Sequence, residues 1–141
     1  MKKNLITLFS FILLIFYFNL LNADTNLLKK GKKLYNEKKY NEAKLLFEKD
    51  LVYNPKSEIS YLYLAKIFNK EKKEDLEENN LNTVILLNPK NEEAIYDLIL
   101  LSMKKSNFSK ADELINTFDS ICVNLCRNSK KIKAKLKSSL N

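Results

Sequence analysis

Residues 54–92 read NPKSEISYLYLAKIFNKEKKEDLEENNLNTVILLNPKNE, and the only two prolines of the chain, Pro55 and Pro89, stand 34 residues apart in this stretch. A proline cannot continue a helix and pushes the residue before it toward extended backbone, so the pair marks the ends of two successive units of one length. Taking Asp24, Glu58 and Glu92 as first residues divides the chain into 24–57, 58–91 and 92–126. In that register the sole glycine, Gly31, and Ala65 share the eighth place, and Ala43 and Ala111 share the twentieth. Large apolar residues recur around them: Leu27, Leu34 and Phe47; Tyr61, Leu64, Phe68, Leu81 and Val84; Ile95, Leu98, Ile115 and Phe118. Each unit has room for two helices and a turn. The pattern predicts a first helix over 25–37, 58–70 and 92–105 and a second over 41–53, 74–87 and 109–121, with short polar turns near Lys38-Lys39, Lys72-Lys73 and Ser106-Asn107. Ser57 and Asn91 are expected to cap helices opening on acidic residues, and Ser109 with Asp112 approximates a capping box.

This period and these positions resemble the tetratricopeptide repeat. The resemblance implies an all-α fold, an α-α superhelix (solenoid) of three helical hairpins, here with a C-terminal capping helix. Small residues at the eighth and twentieth places let the two helices of a hairpin approach closely, while the large apolar places fill the space toward the next hairpin. Lys30 and Asp50 depart from the pattern, as do Ile99, Ser102 and Val123. Glu77 replaces a small residue and is expected to rotate outward, with Leu76 packing in its stead. An ordinary bundle of amphipathic helices is the alternative architecture.

Composition restricts the chemistry. With no histidine, the chain lacks the usual general base near neutral pH and the commonest zinc and copper ligand, and one glycine cannot build a phosphate-cradling loop. No enzymatic activity, no cofactor and no metal site are expected. Lys2 and Lys3 precede an apolar run from Leu5 to Leu21, broken by Thr7, Ser10 and Asn19 and followed by Ala23. Residues 1–23 therefore read as a signal peptide, or as an uncleaved anchor spanning residues 5–21, with a buried core helix as the remaining alternative; either of the first two places residues 24–141 outside the cytoplasm, in the periplasm or a comparable compartment. In such a compartment Cys122 and Cys126 read as a disulfide that breaks the helix and bends the chain, with a redox or copper role, free thiols or an intermolecular bridge as alternatives. Residues 24–126 carry seventeen basic and seventeen acidic side chains. The excess positive charge beyond them, from Arg127, Lys130, Lys131, Lys133, Lys135 and Lys137, lies in residues 127–141, a basic amphipathic segment in which Ile132, Leu136 and Leu140 recur every four residues and which Ser129 is expected to cap. It reads as a solvated capping helix or as a surface for anionic lipid headgroups or an acidic partner. Nucleic acid is not an expected partner.

In the tetratricopeptide family the concave face, lined by the first helix of each hairpin, receives a segment of another protein. Carried over by position, that face here comprises Leu28, Lys32, Tyr35 and Asn36, then Leu62, Tyr63, Lys66 and Asn69, then Tyr96, Leu100 and Met103. The resemblance implies a non-catalytic interaction module whose tyrosines and methionine bury an apolar side chain of the partner, while its lysines pair acidic groups. Leu28 and Tyr63 stand where the family's carboxylate clamp uses polar residues, so a chaperone C-terminus is not the expected ligand. The reading is an adaptor or assembly factor of the bacterial cell envelope. The alternative is a peripheral membrane or envelope-polymer binder acting through the basic C-terminal helix.

Overall fold

The computed structural model describes residues 26–139, and within them the chain forms seven α-helices and no strand. They are α1 (residues 26–36), α2 (Tyr40–Tyr53), α3 (Glu58–Lys70), α4 (Glu74–Leu87), α5 (Glu92–Lys104), α6 (Phe108–Ile121) and α7 (Arg127–Ser139). Residues 1–23, with the export segment read from them, and Leu140 lie outside the described residues. No described helix is long and apolar enough to cross a membrane.

The 34-residue period is written into the backbone. Lys38, Lys72 and Ser106 all adopt left-handed conformations, with φ of 62°, 58° and 58°. The residue after each donates its N–H to the carbonyl five positions back: Lys39 to Leu34 at 2.9 Å, Lys73 to Phe68 at 2.9 Å and Asn107 to Ser102 at 2.8 Å. These bonds satisfy carbonyls left open where the helix ends. A side chain with a Cβ is strained at such a φ, and glycine is not. Lys72→Gly is therefore expected to raise stability by about 0.5–1 kcal/mol, the relief being partly offset by a more flexible unfolded chain; an unchanged or lowered urea midpoint would contradict this.

Two expected caps are corrected. The left-handed Ser106 makes Asn107, rather than Ser109, the residue that precedes α6, and the Asn107 side chain accepts from Lys110 N–H at 3.2 Å. Because α7 opens at Arg127, Ser129 lies inside its first turn; the Ser129 hydroxyl donates to Asp119 instead of capping. Asn91 caps α5 as expected, accepting from Ala94 N–H at 2.8 Å.

The chain forms two compact units, one through Ser60 and one from Tyr61 onward. In the first, α1 meets α2 at Gly31, where an added Cβ would lie 2.8 Å from Cε1 of the fully buried Phe47. Asp50, also fully buried, accepts a hydrogen bond from Ser60, whose hydroxyl in turn accepts from Ser57 at 3.1 Å. A polar group at an apolar template position is thus held at Oδ2 by Ser60, which Ser57 supports in turn, while Asp50 Oδ1 has no hydrogen-bond partner among the described residues.

The second unit has two linked cores. Leu62 and Ala65 of α3, Leu81 and Val84 of α4, and Ala94, Leu98 and Leu101 of α5 form one. Ile95, Ile99 and Met103 of α5, Ala111, Ile115 and Phe118 of α6, and Ile132 and Leu136 of α7 form the other. The latter is closed by α7, as a terminal helix with an apolar stripe requires. Glu77 does not rotate outward. It is 3% exposed while Leu76 is 44% exposed, because Glu77 shares the buried stripe of α4 with Leu81 and Val84. After α6, Cys122 is extended, and the Cys122 and Cys126 sulfurs lie at bonding distance with Cα atoms 5.2 Å apart. The loop between them turns its backbone N–H groups toward α5: the Glu92 carboxylate accepts from Val123 at 2.9 Å, Asn124 at 3.0 Å and Leu125 at 2.8 Å. These bonds, Leu125's foremost, hold the Glu92 carboxyl below its usual range.

Candidate functional site

The residues assigned to the inner face by position fall into different environments. In the first unit Leu28, Lys32 and Tyr35 are half-buried and Asn36 is exposed, and the Tyr35 ring meets Tyr40 edge-on at 5.4 Å. In the second, Leu62 and Met103 are 7% exposed and belong to the cores. Tyr96 and Leu100 are half-buried and pack on the core around α6, where the Tyr96 and Phe118 rings lie 6.1 Å apart. Tyr63 and Lys66 are half-buried and Asn69 is exposed, so these three keep accessible polar and aromatic groups on α3.

Lys66 is the centre of that chemistry. Its Nζ pairs with Glu93 of α5 at 2.7 Å and lies 4.9 Å from the centroid of the Tyr63 ring. A cation over an aromatic face is stabilised by the ring's quadrupole. Next to it Asn69 Nδ2 donates to Glu77 Oε1 at 2.8 Å, and Glu77 Oε2 is buried with no hydrogen-bond partner among the described residues. Burial pushes the Glu77 carboxyl up, against the Asn69 bond and the charge of Lys104. Lys104 itself pairs with Glu74 at 2.9 Å.

Asp97 of α5 completes the group. It is half-buried, and its carboxyl is pushed up to about 6, first by burial and then by the neighbouring Glu93, with Lys66 opposing and Glu77 adding to the rise. The face shared by α3 and α5 thus brings together Tyr63, Lys66 and Asn69 with three acidic side chains that sequence reasoning did not assign to it. Asp97 had a usable signal: it stands 34 residues after Tyr63, in the same place of the next unit. Glu93 and Glu77 had none, since their roles depend on the packing of α4 and α5 against α3.

A second set of charges serves the scaffold. Glu78 of α4 pairs with Lys105 and Lys110, both at 2.6 Å, which tie α4 to the turn and helix that follow α5. Those two lysines lower the Glu78 carboxyl. Among the described residues no group of three or more His, Cys, Asp or Glu is placed to hold a metal ion.

An all-α array of helical hairpins closed by a terminal helix, with polar and aromatic side chains along its first helices, defines a solenoid of the tetratricopeptide type. Solved structures agree. The first tetratricopeptide domain of Spaghetti (RPAP3), bound to an HSP90 peptide, superposes with a TM-score of 0.74 at 19% identity, covering 83% of this chain and 92% of that one. The Arabidopsis OM64 tetratricopeptide domain gives 0.75 at 16% identity, covering 84% and 98%. The Yersinia enterocolitica type III secretion translocator chaperone SycD, in complex with a peptide of the translocator YopD, gives 0.68 at 16% identity, covering 82% and 88%. At these identities the likeness is one of fold. The sequence matches no protein-family model and no curated protein.

Proposed function

We propose that this chain is a non-catalytic protein-interaction module that holds a segment of one partner protein against α3 and α5, and that it works as an adaptor or assembly factor in the bacterial cell envelope. The observation that carries the reading is the α3–α5 face, where Tyr63, Lys66 and Asn69 present accessible aromatic and polar groups on a rigid, well-packed support. Neighbours of this fold hold peptides, one from HSP90 and one from YopD. The envelope location rests on the export-type segment at residues 1–23 and on Cys122 and Cys126, which we read as a closed disulfide shaping the loop before α7.

A photo-crosslinking side chain at position 63, in the full chain within producing cells, is expected to give one discrete adduct. The same group at position 86, where Leu86 is 81% exposed on α4, is expected to give none. Adducts of equal strength from both positions would remove the reason for placing the partner on this face. The exposed Arg127, Lys130, Lys131, Lys135 and Lys137 of α7 favour a second reading, attraction to anionic headgroups at roughly 1 kcal/mol per lysine near the surface. Under it, vesicles rich in phosphatidylglycerol would retain the chain at low salt and lose it when those lysines become glutamine, with the crosslink at position 63 unaffected.

A further inference from the structure

The α3–α5 face has more acid than base, and its bases are already engaged. Lys66 is held by Glu93 at 2.7 Å, and Lys104 by Glu74 at 2.9 Å. Asn69 directs its amide to one oxygen of Glu77, leaving Glu77 Oε2 buried and unpartnered within a residue that is only 3% exposed. Asp97 has neither a hydrogen bond nor an ion pair among the described residues. The charged groups that act on it are Glu93 on its own helix, Lys66 on α3 and Glu77 on α4, two acids against one base. Buried acceptors in folded proteins are nearly always satisfied, so an unsatisfied Glu77 oxygen on the same face as the half-buried Asp97 carboxylate marks a place where a donor is missing.

We infer that the donor comes from the partner: the segment received on this face carries a lysine or arginine whose charged head meets Asp97, with the open oxygen of Glu77 behind it. The inference rests on the reading of this face as a docking surface and names the chemistry of what docks. Lys66 shows that the surface suits such a group, because its own ammonium sits over the Tyr63 ring while pairing an acid of α5. A long basic side chain can lay its apolar stem along Tyr63 and place its head among the acids. The polarity is the reverse of the one expected from sequence, where Lys66 was to pair an acid of the partner; that lysine is occupied by Glu93.

The test is selection of a randomised dodecapeptide display library on the immobilised full chain, its Asp97→Asn variant and its Asp97→Glu variant. Wild type and Asp97→Glu are expected to enrich peptides with Lys or Arg at a fixed spacing from apolar residues, and Asp97→Asn to lose the basic preference. A peptide selected on wild type should bind Asp97→Asn about tenfold more weakly. It should also bind wild type more weakly at pH 5 than at pH 7.5, as Asp97 takes up a proton, and Asp97→Asn equally at both. Enrichment of neutral or acidic peptides, or binding to wild type that ignores pH, would overturn the inference and leave the docking surface standing. No enrichment above an uncoated support would overturn both. Helical circular dichroism of both variants excludes misfolding as the cause.

Discussion

Replacing Gly31 with valine is expected to destabilise the chain by about 3 kcal/mol, a large share of the 5–15 kcal/mol by which domains of this size are stable. The cause is local. A Cβ at this position lies 2.8 Å and 2.9 Å from two ring carbons of the fully buried Phe47, and valine adds two methyl groups to that clash. Gly31→Ala should cost less, about 1 kcal/mol, because alanine's better helix propensity offsets part of the overpacking. Trimming the ring should separate contact from propensity. In Gly31→Ala/Phe47→Leu the two changes should be less harmful together than their separate costs imply, a coupling that urea denaturation of the four proteins measures. Additive costs would mean that α1 and α2 do not meet at this point.

The second large effect concerns pH. In the folded chain the Asp97 carboxyl titrates at about 6, against 3.8 for an unperturbed aspartate. Between those values the folded form keeps a proton that the unfolded form has released, so stability falls as pH rises from about 4 to about 6 and stays at the lower level above. Asparagine cannot ionise and removes that fall. Asp97→Asn should therefore be more stable than wild type by about 2 kcal/mol at pH 7–8, with the difference shrinking toward pH 4. Glu77, raised by burial, tilts both profiles the same way, whereas Glu78, Glu92 and Asp119, all lowered, act oppositely at more acidic pH in both proteins. The difference between the two profiles therefore reports Asp97 together with its coupling to Glu93 and Glu77. Parallel profiles from pH 4.5 to 8 would refute the assignment. A residue that weakens the free protein and is expected to strengthen its complex is the trade-off anticipated for a binding site.

The helical hairpins were legible in the sequence because their signals are local and repeat: one proline per link, small residues where helices touch, and a polar turn every 34 residues. A close approach of α1 and α2 at Gly31 was expected from that reading, but against the small Ala43; the side chain that meets Gly31 is the Phe47 ring. The polar interior was not legible. Asp50 looked like a mismatch, yet it is buried and bonded to Ser60, a contact made only once the chain has turned past Pro55. Glu77 was expected outside, because a charged residue rarely occupies a small buried place; a hydrogen bond from Asn69, one helix away, is what supports it there. For the same reason the accessible face could only be carried over position by position. Place in the repeat does not reveal that Leu62 and Met103 are covered by neighbouring helices, or that Glu93 engages Lys66.

The grip of Glu92 on residues 123–125 has a consequence for how the last hairpin comes apart. Linear arrays of hairpins ordinarily fray from their ends, each layer loosening on its own. Here the first turn of α5 is fastened to the loop that follows α6, so the hairpin's entrance and exit share one latch. Neither can peel away without releasing the other, and this end of the chain should open all or none.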